Sequence, residues 1–227
     1  MIAPPPVKLA DMSLSEILAH RVALLTAYQD AAYARRYTAL VARVRAHGEK
    51  VGAGDTALAD AVARNYFKLL AYKDEYEVAR LFAEPAFQRA LAASFEGDYR
   101  LNFHMTLPWS RAAGPGAEPP KQGFGPWLLP AMKLLARFKF LRGTAFNPFG
   151  RSAERVQERE LIADYERMLA HILDTLEAPD AARHDAAVAL ARLPETIRGY
   201  GPVKERSVAQ ARARQKELLA AFNGQTR

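Results

Sequence analysis

The chain has 227 residues, of which 50% are hydrophobic and 25% charged, and it contains no cysteine. This composition suits a globular protein with a sizeable core, and the lack of thiols excludes disulfides, cysteine-ligated iron–sulfur clusters and a thiolate nucleophile. The formal net charge of +7 is uneven, because residues 100–151 hold eight basic groups and one acidic group while residues 152–197 have an acidic excess.

The sequence favours a mainly α protein. Alanine is abundant and Val, Ile and Thr are sparse, a balance typical of helices. No apolar run reaches the roughly 18 residues that a membrane span needs, and the N-terminal sequence MIAPPPVKLAD has no signal-peptide pattern. We therefore expect a cytoplasmic bundle of long antiparallel helices, with one short strand or hairpin near 98–106 and a long Gly/Pro-rich loop.

The N-terminal residues predict a linker followed by a helix. Three consecutive prolines favour an extended segment, so residues 1–12 are interpreted as a linker and residues 13–227 as a single helical domain. Ser13 then opens a helix, with Glu16 completing a capping-box spacing. Periodic apolar residues continue this helix to about His47.

A second helix is predicted after the turn GEKVGAGD. Asp55 is its expected N-cap, and its periodic pattern ends near Phe82. The two helices, each of roughly 30 residues, would form an antiparallel hairpin. Pro85 then begins a short helix that runs to Phe95.

The helical pattern stops in the segment DYRLNFHM. Apolar and polar residues alternate from Tyr99 to Met105, which predicts a half-buried strand. Residues 108–126 follow as a long Gly/Pro-rich loop, and loops of that length are usually functional or mobile. Four further helices are predicted at 126–142 with Gly143 as C′ residue, 152–176, 179–192 and from after RGYGP to about Phe222.

Asp74 is the one candidate for a buried charge. The helix predicted over 55–82 places this carboxylate near the middle of an apolar stripe. The stripe consists of Phe67, Leu70, Ala71, Val78, Leu81 and Phe82. Because a lone buried carboxylate costs several kcal/mol, we expect Asp74 to be paired with a basic or hydroxyl group. A catalytic acid or base would need a second reactive residue nearby, and the pattern supplies none.

Motifs of the common catalytic and cofactor sites are absent. The chain has no GxGxxG, P-loop, GxSxG or HExxH pattern. Glu16 and His20, one helical turn apart, are the only pair with the spacing of metal ligands. Two ligands are too few to form a metal site. We therefore predict neither catalytic residues nor a metal in this chain.

Two basic segments remain open to more than one interpretation. Residues 100–151 combine their positive charge with aromatic residues, which suits either a nucleotide or single-stranded nucleic acid, or a loop anchored to the core. The aromatic residues are Trp109, Phe124, Trp127, Phe138, Phe140, Phe146 and Phe149. IRGYGPVKERS (197–207) precedes a basic helix and fits either an anion site at the helix N-terminus or a tight turn.

Five segments together resemble a known family. SLSEILAHRVALLTAYQDAAYARRY, AVARNYFKLLAYKDEYEVARLF, FEGDYRLNFHM, FGPWLLPAMKLLARFKFLRGTAFNPFG and LPETIRGYGPVKE occur in the order found in the C-terminal domain of indolepyruvate ferredoxin oxidoreductases, a family of 2-oxoacid:ferredoxin oxidoreductases. The resemblance extends from Ser13 to about Leu219, and YKDEYEVARL and IRGYGPVKE are its most specific parts. Because both parts belong to this signature, the RGYGPVKE turn is the expected partner of Asp74.

The resemblance implies an enzyme that oxidatively decarboxylates aryl pyruvates to aryl-acetyl-CoA. Such an enzyme uses thiamine diphosphate, passes electrons through iron–sulfur clusters to ferredoxin, and takes CoA as acceptor. This chain lacks the thiamine diphosphate signature and has no cysteine for a cluster. We therefore expect no cofactor in this chain and place those cofactors in other domains or subunits, which would be its partners.

The hypothesis is a non-catalytic accessory domain that serves assembly, covers the active site, or docks the acceptor or CoA. A free-standing basic module that binds nucleic acid is the alternative. A third hypothesis is a domain that binds the substrate or CoA. One interpretation of the basic segments is that their charges are scattered and only keep the chain soluble. For ferredoxin or CoA, both negatively charged, or for an acidic surface of the catalytic domains, we predict one basic patch instead. Its members are Lys121, Lys133, Arg137, Lys139, Arg142, Arg198 and Lys204.

Overall fold

The computed structural model describes residues 12–51, 56–97, 99–106 and 120–224. Its elements in chain order are α1 (Leu14–Tyr28), α2 (Ala31–Lys50), α3 (Ala57–Leu70), α4 (Glu75–Ala83), α5 (Pro85–Ser94), β1 (Phe103–Met105), β2 (Gln122–Phe124), α6 (Leu128–Arg137), α7 (Ala153–Thr175), α8 (Ala181–Arg192) and α9 (Gly201–Phe222). Short 3-10 helices cover Phe138–Leu141 and Leu193–Thr196. The prediction of a mainly α fold with one short hairpin is confirmed.

Contacts divide the chain into two compact units. Unit 1 is formed within Met1–Tyr72 and Gln157–Arg227, and unit 2 within Lys73–Val156. The sequence alone indicates one domain from residue 13 onward and does not reveal this division. Apart from Met12, the predicted linker lies outside the described residues, as does Asp55, the expected N-cap of α3.

The two long N-terminal helices of the prediction are each divided by an aspartate. Asp30 adopts an extended conformation and its carboxylate accepts the Tyr33 N–H at 2.8 Å, so that α2 begins there. The Asp74 carboxylate likewise accepts the Glu77 N–H at 2.8 Å, so that α4 begins there. The prediction of two uninterrupted helices is therefore wrong. Apolar periodicity does not distinguish an N-cap aspartate from an exposed aspartate within a helix.

The predicted start of α1 is confirmed. The Ser13 side chain accepts the Glu16 N–H, and the Glu16 carboxylate accepts the Ser13 N–H at 2.8 Å, which together form a capping box. Hydrogen bonds from the Ser13 hydroxyl, and then from its backbone N–H, hold the pKa of Glu16 below its ordinary value.

The core of unit 1 lies among its helices. The pairs α1–α2, α2–α3, α1–α3, α3–α8 and α8–α9 are in contact. Fully buried side chains at this core include Ile17, Leu25, Tyr37, Val62, Tyr66, Leu70, Leu169, Ile172, Leu190 and Phe222. Tyrosines close the end of α3, because the Tyr33 hydroxyl donates to the Leu70 carbonyl at 3.0 Å and the Tyr28 hydroxyl to the Tyr72 carbonyl at 3.0 Å.

Unit 2 has a smaller core in which α4 packs on α6. Its buried apolar residues are Ala79, Phe103, Leu128 and Met132. The strand predicted over 99–105 is confirmed only at Phe103–Met105, where it pairs antiparallel with β2, Phe103 opposite Phe124. The predicted loop 108–126 therefore contains a strand at its end, and residues 107–119 lie outside the described residues.

The C-terminal helices have nearly the predicted bounds, except for α6. This helix ends at Arg137, five residues earlier than predicted, and a 3-10 helix continues to Leu141. Gly143 follows with φ of 79°, the left-handed conformation that favours glycine at the end of such a segment. The change of helix type gives Arg142 an inward position that a continuous α-helix would not specify.

We predict that Asp30→Ala lowers the free energy of unfolding by about 1 kcal/mol, because the variant loses the N-cap of α2. Asp30→Asn keeps an acceptor and is expected to stay near the parent. Asp174→Ala, which alters an exposed aspartate inside α7, is the matched control. Urea unfolding followed by circular dichroism measures all three, and an Asp30→Ala curve that overlays the parent would contradict the assignment.

Candidate functional site

Asp74 and Arg142 form a buried ion pair in unit 2. Their residues are 3% and 4% exposed. Arg142 Nε donates to Asp74 Oδ2 at 2.6 Å and Nη2 donates to Oδ1 at 2.8 Å, a two-pronged geometry that fits guanidinium to carboxylate. The same carboxylate accepts the Glu77 N–H, so one side chain both begins α4 and holds the segment after α6.

The partner of Asp74 differs from the predicted one. The RGYGPVKE turn belongs to unit 1, and the expectation that it holds Asp74 is wrong. Arg142 takes that role because α4 packs on α6, and the 3-10 helix after α6 leads the chain back to the start of α4. Asp74 is buried as an N-cap residue and does not lie on the apolar face of a continuous helix.

A hydrogen-bond network extends this ion pair. The Arg142 guanidinium lies 5.6 Å from the centre of the Tyr76 ring. The Tyr76 hydroxyl donates to Asn147 Oδ1 at 3.1 Å, and the Phe149 N–H donates to the same oxygen at 3.1 Å. Burial, and then the charge of Asp74, raises the pKa of Tyr76. These contacts hold the segment 142–149 against the start of α4. The two charged groups of the network, Asp74 and Arg142, are buried.

The predicted basic patch is divided between the units. Lys121, Lys133 and Arg137 are exposed in unit 2, and Lys139 there is half-buried. Arg142 is buried by its pairing with Asp74, so its assignment to the patch is wrong. Arg198 and Lys204 belong to unit 1. A single patch made of all these groups stays a prediction.

Within unit 1, Lys204 is an ion-pair partner of Glu158, and Arg198 is exposed. The Arg198 N–H donates to Ser207 Oγ at 3.1 Å, which closes the turn at the start of α9. Gly199, with φ of 88°, allows that closure. These contacts support the interpretation of IRGYGPVKERS as a tight turn.

The 3-10 helix that precedes this turn, Leu193–Thr196, is held to α3 by polar contacts. Lys68 Nζ donates to the Pro194 carbonyl at 2.6 Å and the Glu195 carbonyl at 3.3 Å, and Asn65 Nδ2 donates to Glu195 Oε1 at 3.0 Å. Burial, followed by the nearby charge of Arg198, lowers the pKa of Lys68. Two parts of the sequence signature, NYFKLL and LPETIRGYG, thus meet in one packed structure.

Three stacked tyrosines cross unit 1. The ring centres of Tyr37 and Tyr66 are 6.1 Å apart, and those of Tyr66 and Tyr165 are 5.9 Å apart. The Tyr37 hydroxyl donates to the Ala63 carbonyl, and the Tyr165 hydroxyl to the Ala191 carbonyl. Burial is the main cause that raises the pKa of all three hydroxyls. They are therefore neutral groups that connect helices.

Tyr66 instead donates to Glu166, which also pairs with Arg36 at 2.8 and 2.9 Å. Burial would raise the pKa of Glu166, but the hydrogen bonds from Arg36 and Tyr66 outweigh it, and the pKa lies below its ordinary value of 4.5. A small cavity of about 40 Å³ lies beside Tyr165. These titratable groups thus lie in packing contacts.

Several of the aromatic residues of the basic segment are exposed. Trp127, Phe138, Phe140 and Phe146 are 61%, 41%, 62% and 84% exposed. Phe124 and Phe149 are half-buried, as core anchors would be, and Trp109 lies outside the described residues. Sequence analysis missed this exposed set, because helical spacing predicts one buried stripe and does not show whether a second apolar stripe is covered.

Neither a metal site nor a membrane span is found in the parts of the chain that the structure describes. No group of three or more His, Cys, Asp or Glu side chains is placed to bind an ion. None of the helices in those parts is both long and apolar enough to cross a bilayer.

The fold and these contacts define a two-unit helical module with enclosed polar networks and an exposed basic and aromatic surface. Residues 14–217 match a family of unknown function, DUF6537, and the chain belongs to that family. Comparison with curated proteins gives no match, and comparison with solved structures gives none either.

We predict that Asp74→Asn lowers the stability of unit 2 by about 3–5 kcal/mol, because the cap is kept while the Arg142 charge stays buried without its counter-charge. In the double variant Asp74→Asn/Arg142→Met, the free energy of unfolding should fall by less than the sum of the decreases in the two single variants. Both tryptophans lie within Lys73–Val156 of the sequence, so tryptophan fluorescence during urea unfolding follows this unit. Additive losses would contradict the pairing.

The Glu166 contacts predict a pH dependence. A carboxylate whose folded-state pKa is depressed stabilises the protein above the unfolded-state value of 4.5, and that stability is lost as the pH falls through the lower folded-state value. Glu166→Gln should therefore flatten the fall in melting temperature between about pH 5 and pH 3. Glu177→Gln, at an exposed site, is the control, and equal slopes for Glu166→Gln and the parent would contradict the prediction.

Proposed function

We propose that this chain is a non-catalytic accessory domain of an oxidoreductase that resembles indolepyruvate ferredoxin oxidoreductase. Its role is to bind other domains or subunits of that enzyme, either to assemble them or to dock an acceptor beside them. The reaction of the whole enzyme, oxidative decarboxylation of aryl pyruvates to aryl-acetyl-CoA, is part of the proposal through the sequence resemblance.

One observation carries the binding role. Nine of the eleven exposed large apolar side chains among the described residues belong to unit 2: Leu81, Phe95, Tyr99, Trp127, Leu134, Phe138, Phe140, Phe146 and Val156. Single exposed apolar residues are ordinary, but such a concentration in one small unit is typical of a protein-interaction surface. Aromatic residues and arginine are also enriched in interfaces.

The titratable groups support a role in structure. Tyr37, Tyr66 and Tyr165 carry raised pKa values because of their burial, and their hydroxyls all donate to groups on the protein. Asp74 is held by Arg142 and by the start of α4. Polar groups that are already engaged in helix packing are poorly suited to exchange protons with a substrate.

The cofactors of such an enzyme do not fit this chain. Iron–sulfur clusters need several thiolate ligands, and the sequence contains no cysteine. We therefore assign thiamine diphosphate, the clusters and CoA chemistry to other domains or subunits of the proposed enzyme.

The proposal predicts complex formation without activity of the isolated chain. The chain is mixed with the thiamine diphosphate- and cluster-bearing polypeptides of the indolepyruvate oxidoreductase from the same organism and analysed by size-exclusion chromatography. Co-elution and indolepyruvate turnover only in the presence of those polypeptides are expected. Separate elution, or turnover by the chain alone, would overturn the proposal.

Nucleic-acid binding is the second candidate, because exposed aromatic rings beside basic groups can stack on bases. Fluorescence anisotropy with a labelled single-stranded oligonucleotide tests it. Tight binding that weakens steeply with salt would favour a nucleic-acid module over the enzyme domain.

A further inference from the structure

The helix α6 is buried on one side and carries a second apolar ridge on another. Leu128 and Met132 face the core of unit 2. At about 100° per residue, Leu134 lies on a different side, together with Trp127 and Phe138, the residues that flank the two ends of α6. These three residues are 57%, 61% and 41% exposed in that order. A helix that packs only on its own core would present polar residues there.

A basic ridge runs beside the apolar one. Lys133 and Arg137 are one helical turn apart and both are exposed. The Trp127, Leu134 and Phe138 ridge together with these two cations is called the α6 face below. It combines a narrow apolar strip with a positive margin.

The sequence segments that contain and flank α6 carry basic residues and no acidic ones. Residues 99–106 and 120–153 contain no aspartate or glutamate. They contain seven basic residues: Arg100, Lys121, Lys133, Arg137, Lys139, Arg142 and Arg151. Arg142 pairs with Asp74 inside the unit. The neighbouring helix α4 carries Glu77 and is followed by Glu84, and both are paired with Arg80. The exposed Lys133 and Arg137 therefore give the α6 face a positive field that attracts an anionic partner.

We propose that the α6 face docks an acidic protein segment that places apolar side chains against Trp127, Leu134 and Phe138 and carboxylates against Lys133 and Arg137. The inference deepens the proposed accessory role, and on that role the acidic segment belongs to another domain or subunit of the enzyme. Apolar contacts at the centre supply affinity, while the charged margin sets partner choice and association rate.

The arrangement of the groups favours a protein segment over the other anionic partners. Single-stranded nucleic acid needs aromatic platforms for successive bases along a basic groove, whereas Leu134, an aliphatic side chain, lies between the aromatic ends of the ridge. A membrane-surface helix buries a broad apolar face with cations along its polar face, but the broad apolar face of α6 is already occupied by the core of unit 2. A narrow apolar ridge with a charged border matches the anatomy of a protein interface.

The inference is tested first with a displayed library of random 16-residue peptides, which is independent of any assumed enzyme. The full chain is the bait. Selected peptides are expected to be rich in Asp and Glu and to carry large apolar residues. Failure to select binders, or selection of peptides without acidic enrichment, would overturn the inference.

Variants then locate the binding site. Leu134→Ser should weaken peptide binding about tenfold with little change in its salt dependence. Lys133→Glu/Arg137→Glu should weaken it by at least as much and remove most of the salt dependence. Val203→Ser, at a side chain 53% exposed, and Arg206→Glu/Lys216→Glu, at exposed sites of α9, are matched controls in unit 1. Circular dichroism checks that every variant is folded.

The same variants separate this inference from the proposed function. If the enzyme polypeptides bind the parent chain and the α6 variants equally well, the docking site is wrong while the accessory role stands. If acidic peptides bind the α6 face but the enzyme polypeptides do not bind the chain, the accessory role fails and the face remains a docking site. If the α6 variants instead lose binding to a labelled oligothymidylate or to phosphatidylglycerol vesicles, and not to acidic peptides, the inferred partner class is overturned.

Discussion

The carboxylate of Asp74 is the constraint on which unit 2 depends. It begins α4 by accepting a backbone N–H and, with its other contacts, neutralises the buried guanidinium of Arg142. A buried arginine without that counter-charge would cost several kcal/mol, so the segment after α6 can occupy its place only when the start of α4 is correctly formed. Tyr76 and Asn147 then extend the same constraint to residues 147–149.

This constraint accounts for the contrast between the inside and the outside of unit 2. Inside the unit, the buried side chains of Asp74, Arg142, Tyr76 and Asn147 form one network of polar contacts. The apolar groups that water disfavours are left outside on the ridge of α6. A folded unit that encloses such a polar network and also exposes tryptophan, leucine and phenylalanine has a surface suited to cover by another molecule. That contrast is the physical basis of the proposed accessory role.

Unit 1 is organised differently. Five of its tyrosines act as cross-links, because their rings pack at the apolar core and their hydroxyls donate to a carbonyl or carboxylate elsewhere in the unit. They are Tyr28, Tyr33, Tyr37, Tyr66 and Tyr165. Burial of a tyrosine hydroxyl is tolerated when it has such an acceptor. The 3-10 helix after α8, Leu193–Thr196, is held to α3 by Lys68 and Asn65. These contacts connect two parts of the sequence that are far apart along the chain.

The helical class, the capping box of Ser13 and Glu16, the start of α5 at Pro85 and most helix bounds after residue 150 follow from the sequence alone. These features depend on local chemistry: capping spacing, apolar period and proline geometry. The folded structure was needed to show that Asp30 and Asp74 begin helices and that Arg142 pairs with Asp74. It was also needed to show that Trp127, Leu134 and Phe138 are exposed. Whether an aspartate caps a helix, a cation is buried in an ion pair, or an apolar side chain is exposed depends on contacts between residues that are far apart in the sequence. The periodicity of apolar residues carries no information about those contacts.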